Sequence, residues 1–157
     1  MVTCVFEDGG KGLLRHITVG ALIIKENKIL LIKRASHLIN PGKYALPGGF
    51  MDRDETTVGA LKREIKEETG FEIKKFKLFR INDNPNRIGE DRQNVDFIFL
   101  AEVGEKLSDF DKEVVEFKWF DLNHLPDPSQ FAFDHLENIE LYLKYLKNPF
   151  SLPIFPS

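Results

Sequence analysis

One cysteine, Cys4, stands among the 157 residues, so neither an intrachain disulfide nor a cysteine-built metal framework is available. The four histidines, His16, His37, His124 and His135, are scattered, without the spacing that a shared ion asks for. No apolar run approaches the roughly 20 residues of a membrane-spanning helix, and no signal-peptide pattern opens the chain. Charge of one sign is lacking as well: a formal net charge of −3 offers no electrostatic footprint for nucleic acid. Internal repeats and low-complexity segments are absent. These absences remove a secreted disulfide scaffold, a helical membrane protein and a nucleic-acid partner from the expectations. A reducing, cytoplasmic setting is the default.

What the chain does have suits one compact domain spanning 1–157. Its hydrophobic fraction is 42%, with 14 phenylalanines, enough for a real core and too much for disorder. Residues 1–15 form an N-terminal arm around the turn Asp8-Gly9-Gly10-Lys11-Gly12, open to being a hairpin, a flexible arm or an element of a dimer. Residues 16–24 and 29–32 read as strands joined at hairpin length by Lys25-Glu26-Asn27-Lys28. A loop at 35–43 leads to a strand at 44–50, interrupted by Pro47-Gly48-Gly49.

A helix then starts at Thr56 or Thr57, turns Val58, Leu61 and Ile65 inward, and stops at Gly70. Strands at 71–81 and 93–103 flank a polar loop at 82–92 that carries Pro85 and Gly89. A short strand at 117–120 and a proline-rich turn at 125–129 precede a C-terminal helix at 134–147. That helix has Asp134 as N-cap and an apolar stripe of Leu136, Ile139, Leu143 and Leu146. Pro149, Pro153 and Pro156 predict a tail without regular structure. Strands around a central helix, closed by a terminal helix, give an α/β (α+β) class with a mixed β-sheet between helices.

The central helix carries the chemistry. Glu64, Glu67 and Glu68 stand at i, i+3 and i+4, so three carboxylates leave one face. Alone, they repel one another by a few tenths of a kcal/mol per pair, roughly. A hard divalent cation such as Mg²⁺ or Mn²⁺ reverses that repulsion.

Residues 49–71, GFMDRDETTVGALKREIKEETGF, resemble the Nudix box, G-x5-E-x7-R-E-U-x-E-E-x-G-U, with U aliphatic or aromatic. Gly49, Glu55, Arg63, Glu64, Ile65, Glu67, Glu68, Gly70 and Phe71 meet its fixed positions, and the resemblance covers roughly 17–125. It implies an α/β/α sandwich that hydrolyses a nucleoside diphosphate linked to another moiety. It also implies Glu64, Glu67 and Glu68 as metal ligands, with the Gly48 carbonyl as a further candidate beside Gly49. The general base stays open between Glu68 and Glu113. Arg63 is expected to grip Glu55 or Glu67 and so set the ligand geometry. Arg34, ending a strand, is where the family often places a phosphate-binding arginine. Glu113 and Glu116 resemble the family's late acidic segment, and Trp119 and Phe120 read as core.

Pro85, fifteen residues beyond Gly70, resembles a marker of the ADP-ribose pyrophosphatases. ADP-ribose or a related nucleotide sugar is therefore the expected small-molecule partner. The alternatives are a nucleoside triphosphate pyrophosphohydrolase acting on aberrant nucleotides and a nucleotide-sensing domain without catalysis. Relatives of this type are often homodimers; the arm and the Phe150/Phe155 end could pack on a second copy or cap the chain's own core.

Overall fold

A computed structural model describes residues 2–87 and 92–155. The Gly89 and Pro156 positions of the loop and tail readings lie outside the described residues. The N-terminal arm is a hairpin: β1 (Val2–Val5) and β2 (Lys11–Leu14) pair antiparallel as a separate two-stranded sheet. β3 (Ile17–Lys25) and β4 (Lys28–Arg34) follow, and Glu26 and Asn27 between them both take positive φ, 49° and 62°. That geometry belongs to a two-residue turn matching the twist of its strands. Both strands are apolar runs buried on two faces, as central strands require.

The segment read as one interrupted strand at 44–50 is instead two, and they serve different neighbours. β5 (Tyr44–Ala45) pairs with β4, whereas β6 (Gly48–Phe50) pairs with β3. Pro47 between them lacks a ladder donor, so the chain switches partners there. α1 (Thr57–Thr69) comes next, with the Thr56 hydroxyl accepting from Gly59 N at 3.0 Å and Gly70 closing it at φ 75°. β7 (Phe71–Asn82) and β8 (Val95–Lys106) pair antiparallel, and β8 runs parallel to β3. β9 (Val114–Asp121) pairs along β4 and is twice the length the sequence suggested, because Glu116 separates Val114 and Val115 from the aromatic run at 117–120. The sheet order is β5-β4-β3-β8-β7, with β6 beside β3 and β9 beside β4.

Two clusters make the core, one on each side of this mixed sheet. α1 buries Ala60, Leu61 and Ile65 against Val19, Ala21, Ile23 and Phe99; Val58 at its start is only half-buried. α2 (His135–Lys147) covers the other side with Ile139 and Tyr142, packed on Leu22, Ile98 and Phe79. Its apolar stripe is rotated from the one expected. Leu146 is exposed, and Asn138 is buried to accept from Arg80 Nη1 at 2.8 Å. Asp134 holds the N-cap position but makes no side-chain cap bond, because its carboxylate is engaged elsewhere.

The tail lies partly on the chain's own core, while Phe150 and Phe155 stay exposed. Ile154 pairs with Arg80, its N–H donating to Phe79 O at 2.8 Å, and it packs with Leu152 on the α2 cluster. The hairpin does not follow it: Val5, Phe6 and Leu13 remain exposed.

Candidate active site

The interrupted segment and α1 meet at two glycines. Gly48 has φ 145°, and a Cβ there would strike the Val19 carbonyl oxygen. Its N–H donates to Glu68 Oε2 at 2.6 Å. A Cβ on Gly49 would lie 2.6 Å from the Glu64 carboxylate, so that side chain rests directly on glycine backbone. The glycine pair thus admits two carboxylates to one spot.

Arg63 organises the same face. Its Nε and Nη2 grip Glu55 Oε1 and Oε2 at 2.8 and 2.9 Å, a bidentate pair. Nη1 donates to Glu64 Oε1 at 2.8 Å and Glu67 Oε2 at 3.1 Å, and Nη2 also reaches Phe50 O at 2.9 Å. Both carboxylates expected as Arg63 partners are held, and the preceding strand is fixed with them. The Arg63 hydrogen bond holds the Glu55 pKa down at about 2, helped by the Asp52 N–H.

The glutamates nearest the glycines are pushed the other way. Burial raises Glu64, against the pull of Arg63, with Glu67 and Glu113 adding repulsion. Glu68 is only 6% exposed, and burial lifts its pKa well above its ordinary value. The Gly48 N–H opposes that rise, while Glu64 and Asp111 reinforce it.

Glu64, Glu67, Glu68, Glu113 and Arg34 all line one cavity of about 460 Å³. Arg34 donates through Nε to Ile39 O at 2.8 Å and lies 5.3 Å from the Phe133 ring centroid. Glu113 sits just ahead of β9, where its carbonyl accepts from Ala35 N. Glu116 is turned aside to Lys33 Nζ at 3.4 Å, outside that cavity lining. Among the described residues no three Asp, Glu, His or Cys side chains converge as a metal cage. Glu64 and Glu67 are drawn to Arg63, and Glu68 to Gly48. The donor set still fits a hard divalent cation: several carboxylates face one cavity, and two of them are strained by their own charge.

The cavity extends to the α2 side, with residues the sequence did not single out. Arg87 lies in the wall, its Nε and Nη2 on Asp134 at 2.8 and 2.5 Å, with Asp96 Oδ2 3.6 Å from Nη2. His135, scattered in sequence, faces the same space and accepts from Leu46 N through Nδ1 at 2.9 Å. Burial holds its pKa down at about 4, against the pull of Asp134.

A histidine whose folded pKa lies below its unfolded value of 6.5 gives stability that is fully present above pH 6.5 and lost as pH falls towards 4. Urea midpoints should therefore show a loss of about 2 kcal/mol at about pH 5 relative to about pH 7. His135→Gln should remove this component.

A family model described as the NUDIX domain matches residues 14–142. The chain belongs to the Nudix family. Among curated Nudix relatives, the ADP-ribose pyrophosphatase of Methanocaldococcus jannaschii is 41% identical over 82% of this chain and 73% of its own. The human 8-oxo-dGDP phosphatase is 28% identical over 88% of this chain, which spans only 42% of that protein.

A Nudix hydrolase structure from Nitrosomonas europaea superposes with a TM-score of 0.76 at 24% identity, covering 94% of this chain and 81% of that one. At that identity it shows the fold, the mixed sheet between helices expected from the sequence. The box therefore marks a pyrophosphate-hydrolysing enzyme of a family that generally uses divalent metals. No helix is long and apolar enough to cross a membrane, among the described residues.

Proposed function

We propose that this Nudix enzyme hydrolyses ADP-ribose or a related nucleotide sugar to AMP and a sugar phosphate, with Mg²⁺ or Mn²⁺, in the cytoplasm. The observation that carries the substrate is the 41% identity to an ADP-ribose pyrophosphatase across most of both chains. Asn84-Pro85-Asn86-Arg87, with its proline fifteen residues past Gly70, supports it.

In this reading Glu64, Glu67, Glu68 and the Gly48 carbonyl hold the metal. Arg63, through Glu55, Glu64 and Glu67, sets where those carboxylates stand. When bound, the cation neutralises pyrophosphate charge and lowers the pKa of a water. Water oxygen bonds to one phosphorus, the bridging P–O bond breaks, and the displaced phosphate leaves. The water's proton passes to a carboxylate, Glu68 or Glu113, both of which line the cavity. Arg34, in the lining of the same cavity, meets a substrate phosphate.

The relative named 8-oxo-dGDP phosphatase favours a second reading, clearance of aberrant nucleotides. A substrate panel decides. Turnover of ADP-ribose above nucleoside di- and triphosphates is expected; hydrolysis of the latter with none of ADP-ribose would overturn the choice. A pure nucleotide sensor would hydrolyse neither. The partner that suits the exposed Val5, Phe6 and Leu13 of the hairpin is a second copy of the chain, for which a solution mass of one protomer would be the refuting result.

A further inference from the structure

Leu46 lies between β5 and β6 and is 2% exposed, so its N–H, outside both ladders, needs an acceptor within the protein. His135 Nδ1 is that acceptor, at 2.9 Å. The contact fixes the orientation of the ring, because a flipped ring would turn a carbon to the amide. It fixes the tautomer as well. A ring nitrogen that accepts carries no proton, so the imidazole hydrogen sits on Nε2. A doubly protonated ring would set one N–H against another, and burial independently keeps the His135 pKa at about 4.

His135 is therefore a neutral donor, and that donor is unspent. Among the described residues no group accepts from Nε2, and Nε2 is not one of the enclosed polar atoms that lack a partner. The ring is half-buried and lines the cavity, so with Nδ1 turned to the Leu46 backbone the Nε2 edge is left to that space.

The surroundings say what the donor would meet. Two residues of chain, about 7 Å at most, separate the Leu46 N–H on His135 from the Gly48 N–H on Glu68. The Phe133 ring centroid lies 5.8 Å from that of His135 and 5.3 Å from the Arg34 guanidinium. The charge of Arg34 acts on both His135 and Glu68. A pyrophosphate carries two phosphoryl groups whose non-bridging oxygens all accept hydrogen bonds. One group at the glutamates leaves its neighbour to the part of the cavity that Arg34 and His135 line.

We propose that His135 is a substrate-binding residue, its Nε2–H donating to a non-bridging oxygen of the phosphate that Arg34 meets. Arg34 supplies charge there, and His135 supplies a directional hydrogen bond without charge. The assignment rests on a pyrophosphate entering this cavity and not on which sugar is attached to it.

Asparagine and glutamine each reproduce one half of this histidine, and the pair makes the test. The amide oxygen of His135→Asn takes the Nδ1 position and still accepts from Leu46, but nothing reaches the Nε2 position. The amide N–H of His135→Gln takes the Nε2 position at the expense of the Leu46 contact. His135→Asn should raise KM for ADP-ribose about tenfold, with a far smaller change in kcat and in melting temperature. His135→Gln should keep KM within about threefold of wild type yet melt lower, because the Leu46 N–H has lost its acceptor. A residue that only props Leu46 gives the reverse order, and that order would overturn the proposal. His135→Ala, which opens the Leu46 N–H to water in the cavity, carries the same expectation for KM if His135→Asn does not fold.

Imidodiphosphate, with two phosphates and no sugar, identifies the ligand atom. Its competitive inhibition should weaken about tenfold in His135→Asn. Unchanged inhibition beside a raised KM for ADP-ribose would move the contact to a ribose hydroxyl and overturn the phosphate assignment. No turnover of ADP-ribose by the wild type would overturn the substrate reading alone. The same comparison is then read on the nucleoside di- or triphosphate that the enzyme hydrolyses.

Discussion

Glu68→Gln is expected to lower kcat for ADP-ribose by about 10³-fold with Mg²⁺ present, about 4 kcal/mol of transition-state stabilisation, while leaving the protein no less stable. Glu68 is the deepest of the box carboxylates, and its recorded hydrogen bond is from Gly48 N. Gln preserves the size of that side chain and an oxygen for Gly48. It removes the charge on which both a ligand and a base depend. The stability half follows from the sign of the pKa shift. Burial raises the folded carboxyl well above its ordinary value, so the folded state binds the proton more tightly than the unfolded chain. The resulting stabilisation is present at low pH and is lost as pH rises through the folded pKa. At neutral pH the metal-free carboxylate is a burden, and the melting temperature of metal-free Glu68→Gln should equal or exceed that of the wild type. Steady-state kinetics and thermal denaturation check the two halves. Wild-type turnover by the variant would take Glu68 out of the site.

That glutamate was legible because its signal is local. Glu64, Glu67 and Glu68 share a helix face by spacing alone, Thr56 and Gly70 bound the helix through their own backbone preferences, and the glycine pair precedes them within one short segment. Arg63 was legible as a clamp for the same reason, since Glu67 is one turn away and Glu55 lies just before the helix.

The opposite wall was not legible. Thr18, Asp96 and His135 come from three distant stretches, and the parallel pairing of β3 with β8 sets the first two side by side. No local pattern encodes a parallel register, because the strands it joins are separated by a whole crossover. Asp134 shows a local rule being overridden: aspartate before a helix reads as a cap, yet Arg87 and Asn82 take its carboxylate instead. The rotation of α2 has a similar origin. A buried Asn138 bonded to Arg80 replaces part of the leucine stripe, and periodicity cannot see a buried polar pair.

Arg87→Ala is expected to be the most destabilising single change on the α2 side, by about 3–5 kcal/mol, with a fall in melting temperature of about 10 °C. Arg87 and Asp134 are buried, joined by two hydrogen bonds at 2.8 and 2.5 Å, and Asp96 stands 3.6 Å away. Truncating Arg87 leaves both carboxylates enclosed. Asn82 still donates to Asp134 at 2.7 Å, but it carries no charge, and Arg80 is bonded to Asn138.

Burial pushes the Asp134 pKa up, and the Arg87 contact outweighs it, so the net direction is down. A depressed carboxyl contributes stability above its unfolded pKa and loses it as pH falls through the folded value. Without Arg87 that direction should reverse, and Arg87→Ala should be least stable relative to wild type near neutral pH and recover part of the gap in mild acid. Asp134→Asn in the Arg87→Ala background should restore part of the loss, because the uncompensated charge is gone. A coupling energy of about 1 kcal/mol or more in the double-mutant cycle, read from urea denaturation, is the expected result. Additive effects would mean that each group is satisfied independently of the other. Since Arg87 also lines the substrate cavity, the variant should raise KM even at temperatures where it stays folded, and that separates its place in the wall from its part in stability.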